Sequence, residues 1–211
     1  MPMVTPGDTP DLTGTWVFNR KPSDDPDEVF ALRWQQGVHW VIRKALRHAR
    51  LSLELLQTTA AVDGTSKAGE QNGNTTASEM PETITTLRVK QIVNPGGFDS
   101  QGSYTVDGST QDLSVPVFGD IRTQLKFIEI GEIVEESIRR GFEIAGYSGK
   151  VIQELASDNS KASARNDTKG WEAEVIWAFE IIDGKEHLTR NVSMVGNEKK
   201  IIARMVYDRQ I

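Results

Sequence analysis

The chain has 211 residues, 37% hydrophobic and 26% charged, which is ordinary for a globular protein and long enough for one large domain or two small ones. Its formal net charge of -6 argues against nucleic acid as a main partner, because phosphate binding wants clustered Lys and Arg. It has no cysteine, so disulfides, thiolate nucleophiles and cysteine-ligated metals are excluded.

The opening MPMVTPGDTPDLTG has no apolar stretch behind a basic region, so no secretory signal is expected and the default compartment is cytoplasmic. No apolar run approaches the ~18 residues of a membrane span. The sequons at Asn74, Asn166 and Asn191 carry no role in that setting. Residues 1–10 are rich in Pro and Thr and read as a loose segment ahead of a single domain over 11–211.

LTGTWVF (12–18) is a short β-rich run. SDDPDEVF then reads as a helix start, with Ser and Asp for the cap, Pro26 near the first turn and acids facing the dipole. From Asp27 to Arg50 apolar residues recur at helical spacing, interrupted at Gln36–Gly37, which predicts two short helices and a tight turn. The period changes to two at Leu51. Residues 61–82 are Gly, Ser, Thr and Asn without periodicity, an exposed mobile loop. Strand signals follow in ITTLRVKQIV, GSYTV, LSVPVF, IRTQLKFIEI, GKVIQEL, WEAEVIWAFEII, HLTRNVSMV and KIIARMVY. Asp183–Gly184 and Gly196–Asn197 are hairpin signals, and residues 132–143 read equally as a helix or as a strand with an excursion. One strand, a helical pair and eight or nine antiparallel strands suit a mainly β, closed up-and-down barrel with a helix-turn-helix lid. Closure removes unpaired edges, and a barrel of this size can enclose one small ligand.

Three stretches carry a resemblance. GTW at 14–16 resembles the Gly-x-Trp opening of calycins, VFALRWQQGVHWVIRKAL resembles the helical lid of the fatty-acid-binding branch, and ARMVYDRQ resembles that branch's closing strand. The likeness covers roughly 11–57 and 171–210, and the longer middle does not align. The chain also resembles fungal lipocalin-like proteins associated with secondary metabolism, with the pattern LTGTWVLNKSLSDD, GVGWxTRKA and ARLVYD. That resemblance implies either a cofactor-free cyclase or isomerase of Diels–Alder type or a non-catalytic carrier of hydrophobic metabolites.

In fatty-acid binders an Arg and a Tyr two residues apart on the closing strand point inward and hold the carboxylate. Here the residue two before Tyr207 is Met205, and alternation turns Arg204 to the other face. Tyr207 is left as a cavity hydroxyl, with Met205 as a soft wall. In HLTRNVSMV, Arg190 shares a face with Leu188, Val192 and Met194. An inward Arg either stacks on Trp16 at the closed end of the barrel or meets ligand. On WEAEVIWAFEII the set Trp171, Ala173, Val175, Trp177, Phe179 and Ile181 faces inward, away from Glu172, Glu174 and Glu180. Trp177 and Phe179 could stack on an aromatic or polyene ligand.

Trp40 of the lid, Gln91 and Phe127 complete the ligand-contacting set, and Arg190 and Tyr207 are the candidates for polarising a carbonyl or stabilising a leaving hydroxyl. His39, His48 and His187 lie on separate elements without H-x-H or H-E-x-x-H spacing, so no metal is expected. Nucleotide loops and a G-x-S-x-G elbow are absent, and no cofactor is expected. The expected partner is a hydrophobic small molecule rather than nucleic acid or membrane, and the sequence leaves the oligomeric state open.

Overall fold

A computed structural model describes residues 9–24, 49–61, 83–95, 99–115, 119–144, 149–159, 170–196 and 199–210. The predicted helical pair, Trp40 and His39 within it, and nearly all of the 61–82 loop lie outside those residues.

Ten strands dominate: β1 (Gly14–Phe18), β2 (Arg50–Ala61), β3 (Thr83–Asn94), β4 (Ser100–Thr105), β5 (Thr110–Val115), β6 (Gly119–Glu129), β7 (Lys150–Asp158), β8 (Glu172–Ile182), β9 (Lys185–Gly196) and β10 (Lys199–Arg209). They form one antiparallel sheet in the order β4-β3-β2-β1-β10-β9-β8-β7-β6-β5. Each strand after β1 lies beside its predecessor in sequence except β5, which is at the opposite end of the sheet from β4, and β10 returns to pair with β1. This is the mainly β, up-and-down barrel that the strand pattern predicts. The β8–β9 hairpin turns at Asp183 (φ 50°) and Gly184 (φ 76°), the pair of left-handed residues a tight two-residue turn needs.

The barrel is nearly closed. β4 and β5 are the two ends of the sheet and form the seam. Across the turn that joins them, Gln111 closes the local hydrogen bonding with its side chain. Its Nε2 donates to the Thr105 carbonyl (3.1 Å), and its Oε1 accepts from the Thr105 amide (3.2 Å). The same turn is tied to both flanks by Val106 N–H to the Thr85 carbonyl (2.8 Å) and Gly108 N–H to the Leu125 carbonyl (2.8 Å).

The core fills the interior. Leu12, Trp16, Leu53, Leu87, Leu188 and Tyr207 are each at most 1% exposed. The Gly-x-Trp signature has a mechanical basis here. The Trp16 indole N–H donates to the Leu12 carbonyl (3.0 Å), and Gly14 adopts φ 151°, where a Cβ would lie 3.3 Å from Trp16 Nε1. The Arg209 guanidinium sits 5.5 Å from the Trp16 ring centroid and supplies the cation at this end of the barrel.

A second layer packs outside the barrel. After a 3₁₀ turn (Ile130–Glu132), the ambiguous 132–143 stretch resolves into a helix, α1 (Glu136–Ile144). Ile138 and Phe142 of α1, with Ile133, bury against the outward side chains Val151, Ile176 and Ala178. Fully burying side chains of this size contributes about 1.5–3 kcal/mol each. The carboxylate of Glu174 anchors the layer: it accepts from the Val134 and Glu135 amides (3.1 and 2.8 Å) and from Gln153 Nε2 (2.6 Å). The outer face of β8 is therefore only half solvent-facing. Conversely Ile181, placed with the inward stripe by alternation, is 70% exposed where the strand passes the barrel end.

Candidate functional site

The ladder Ile152–Trp177–Arg190–Met205 runs across β7, β8, β9 and β10 in direct register. Trp177, Arg190 and Met205 of this ladder form one wall of an interior cavity of about 90 Å³. Val175, Val192, Met194 and Leu125 continue the wall in apolar surface, and Gln91 and Tyr104 face it from β3 and β4. A Cβ at Gly102 would lie 2.9 Å from Tyr104 Oη, so that glycine leaves the room for the tyrosine to lie along its own strand.

A polar cluster sits in this apolar wall. The Arg190 guanidinium lies over Trp177, 4.1 Å from the ring centroid. Trp177 Nε1 donates to Glu154 Oε2 (2.9 Å). Arg190 Nη2 lies 3.7 Å from the same oxygen, close enough for charge balance but too long for a hydrogen bond. The side chains of Arg190 and Glu154 are only 15% and 10% exposed. Arg190 Nε is buried without an acceptor. Buried donors are seldom left unpaired, so this one calls for an explanation.

Tyr207 completes the cluster. It is fully buried, and its ring meets Phe18 edge-on at 5.5 Å. Burial pushes its phenol pKa up, opposed by the charge and hydrogen bond of Arg190. The acceptor nearest its own hydroxyl is the Met205 sulfur at 4.0 Å, a weak one. Met205, 4% exposed, faces the same cavity. Arg204 takes the opposite face, where it pairs with Glu180.

Arg190, Tyr207, Gln91, Trp177 and Met205 are thus brought together on one cavity. Phe127 and Phe179 are not on it. Phe179 packs on Trp16 with ring centroids 5.6 Å apart, and Phe127 packs into the apolar core. Arg190 stacks on Trp177, and the cation over Trp16 is Arg209. Glu129 is exposed at the strand end, and His187 lies 2.8 Å from Asp208. Glu154 was not among the residues singled out from the sequence. Alternation with Ile152 and Ala156 is the signal that could have found it, and it was obscured because Val151 and Leu155 make the other face of β7 apolar too.

Among the described residues no cluster of three His, Cys, Asp or Glu could hold a metal, and no helix is long and apolar enough to cross a membrane. A second, more open groove of about 520 Å³ lies beside the outer layer, near Glu135 and Lys200. Lys200 Nζ sits 2.5 Å from Glu135 Oε2. With the Ser137 hydroxyl also donating, this lowers the Glu135 pKa to about 2.

The fold and cavity define the molecule as a nearly closed, ten-stranded up-and-down barrel with a polar cluster buried in an apolar interior. No protein-family model matches the chain, and no curated protein is similar to it in sequence. Among solved structures, the chain is similar to zebrafish ileal bile acid-binding protein, crystallised with cholic acid. The identity is 11%, the alignment covers 94% of this chain and 98% of that one, and the TM-score is 0.45.

Proposed function

We propose that the barrel binds one small, largely apolar molecule in its interior cavity, as a carrier. The observation that carries this reading is Arg190, which is largely buried, directed inward, stacked on Trp177 and left with an unpaired Nε. A donor held in that state inside apolar walls is the arrangement of a ligand site, where a few placed polar groups orient a molecule that hydrophobic contact retains. Arg190 and Tyr207 supply the polar contacts in this reading, with Gln91 as a further lining polar group and Trp177 and Met205 as walls. A cavity of about 90 Å³ suits a ring or a head group with its first carbons.

A second reading is cofactor-free cyclisation or isomerisation of such a molecule. It is favoured by Arg190 and Tyr207 donating into one water-poor cavity, where they would polarise a carbonyl. Titration with an environment-sensitive apolar dye tests the binding common to both readings. Saturation at about one dye per chain is expected, and no saturable site would refute it. Conversion of a bound polyene ketone, rather than its recovery unchanged, would select the enzymatic reading.

A further inference from the structure

Resting on that binding proposal, we infer that the cavity is specific for an uncharged ligand with a carbonyl beside an N–H or O–H donor, such as an amide, a lactam or a hydroxyketone, and that Glu154 sets this preference by excluding carboxylates.

Charge in the cavity is the first ground. Among the described residues that line it, Arg190 and Glu154 are the two that carry a charge, and they are of opposite sign. Their closest approach is 3.7 Å, and both side chains are largely buried. The described lining is therefore already neutral. A ligand carboxylate seeking Arg190 would sit beside the Glu154 carboxylate in a poorly solvated interior. Like charges so placed disfavour each other, and the second anion finds its counter-charge already taken.

The unsatisfied hydrogen bonds are the second ground. Arg190 Nε has no acceptor, and the Tyr207 hydroxyl, which accepts from Arg190, has only a thioether sulfur at 4.0 Å to donate to. Both are donors in want of an acceptor, which a carbonyl oxygen supplies. Glu154, bonded to Trp177 through Oε2, is a carboxylate and so accepts only. A ligand offering an acceptor and an adjacent donor matches Arg190 and Glu154 together. A carboxylate offers acceptors alone. Selectivity by an unfavourable charge against the wrong ligand is a general way to separate molecules of equal apolar content.

Decanamide and decanoate, identical except for the head group, test this by displacing the dye from the full-length protein at pH 8. In the wild type decanamide is expected to bind at least tenfold more tightly. Glu154→Gln, which keeps the shape and an acceptor for Trp177, is expected to raise decanoate affinity at least tenfold and narrow the preference. Glu154→Met serves as a second neutral variant should the first not fold. Tighter binding of decanoate by the wild type would overturn the inference and leave the binding proposal standing, as would neutral variants with unchanged preference. If the dye itself finds no saturable site on the folded protein, the binding proposal falls, and this inference with it; if the dye binds and neither compound displaces it, this inference alone falls.

Discussion

Arg190 and Trp177 face each other across β8 and β9 in direct register, with the guanidinium carbon 4.1 Å from the ring centroid. The stack fixes the guanidinium plane, and Glu154 touches both partners, through a hydrogen bond to the indole and charge proximity to the arginine. The three side chains form one electrostatic unit. Arg190→Met is expected to destabilise the fold by about 3 kcal/mol, because it strands a buried carboxylate. Combining it with Glu154→Gln should recover most of that loss, a non-additivity that a denaturant double-mutant cycle reads directly.

Tyr207 gives an alkaline signature. Burial raises its pKa in the folded state above the ordinary value of 10.0. The unfolded chain then loses this proton first, so folding stability falls as pH rises past about 10. Tyr207→Phe should flatten that part of the stability–pH curve, measured by denaturant titration between about pH 9 and 11.

Glu135 gives the opposite, acid signature. Lys200 and Ser137 hold its folded pKa at about 2, against 4.5 ordinarily. A depressed carboxylate stabilises the fold fully above the unfolded value and less as pH falls from about 4.5 toward 2. Lys200→Met should move the Glu135 titration, followed by carboxyl NMR, back toward the ordinary range and weaken the attachment of α1.

Gly14→Ala is expected to cost about 1–3 kcal/mol, since it forces a Cβ onto a backbone at positive φ. That Cβ would lie 3.3 Å from Trp16 Nε1, so a shift of the indole that weakens its bond to the Leu12 carbonyl should accompany the loss. Thermal melting followed by tryptophan fluorescence reports both.

The strands were legible because most have one dry face. In β9, Leu188, Val192 and Met194 alternate with Thr189, Asn191 and Ser193, and that period alone turns Arg190 inward. The same logic separates Met205 and Tyr207 from Arg204 in β10. It failed on β7, where the interior takes Ile152 and Glu154 while α1 covers Val151, so both faces are apolar and the phase is lost. The helix itself was ambiguous because, among its described side chains, burial rests on two apolar ones, Ile138 and Phe142. The seam falls between β4 and β5, consecutive strands joined by a short turn yet not paired in the sheet, so a local strand-turn-strand pattern gives no sign of it. Phe127 and Phe179 do face inward, but direction alone could not tell the residues lining the cavity from those filling it.

Val175 projects into the cavity from the strand that carries Trp177, two residues away. Val175→Phe puts a ring into about 90 Å³ of space and leaves Arg190, Glu154 and Tyr207 chemically unchanged. Overpacking of this kind costs about 1–3 kcal/mol, which the circular dichroism melt will register as a lower but still cooperative transition. Calorimetric titration of the folded variant with the dye that saturates the wild type then decides the location of the ligand. Interior binding requires the heat of binding to vanish, or the affinity to fall at least a hundredfold; wild-type affinity and stoichiometry in the filled barrel would place the ligand elsewhere.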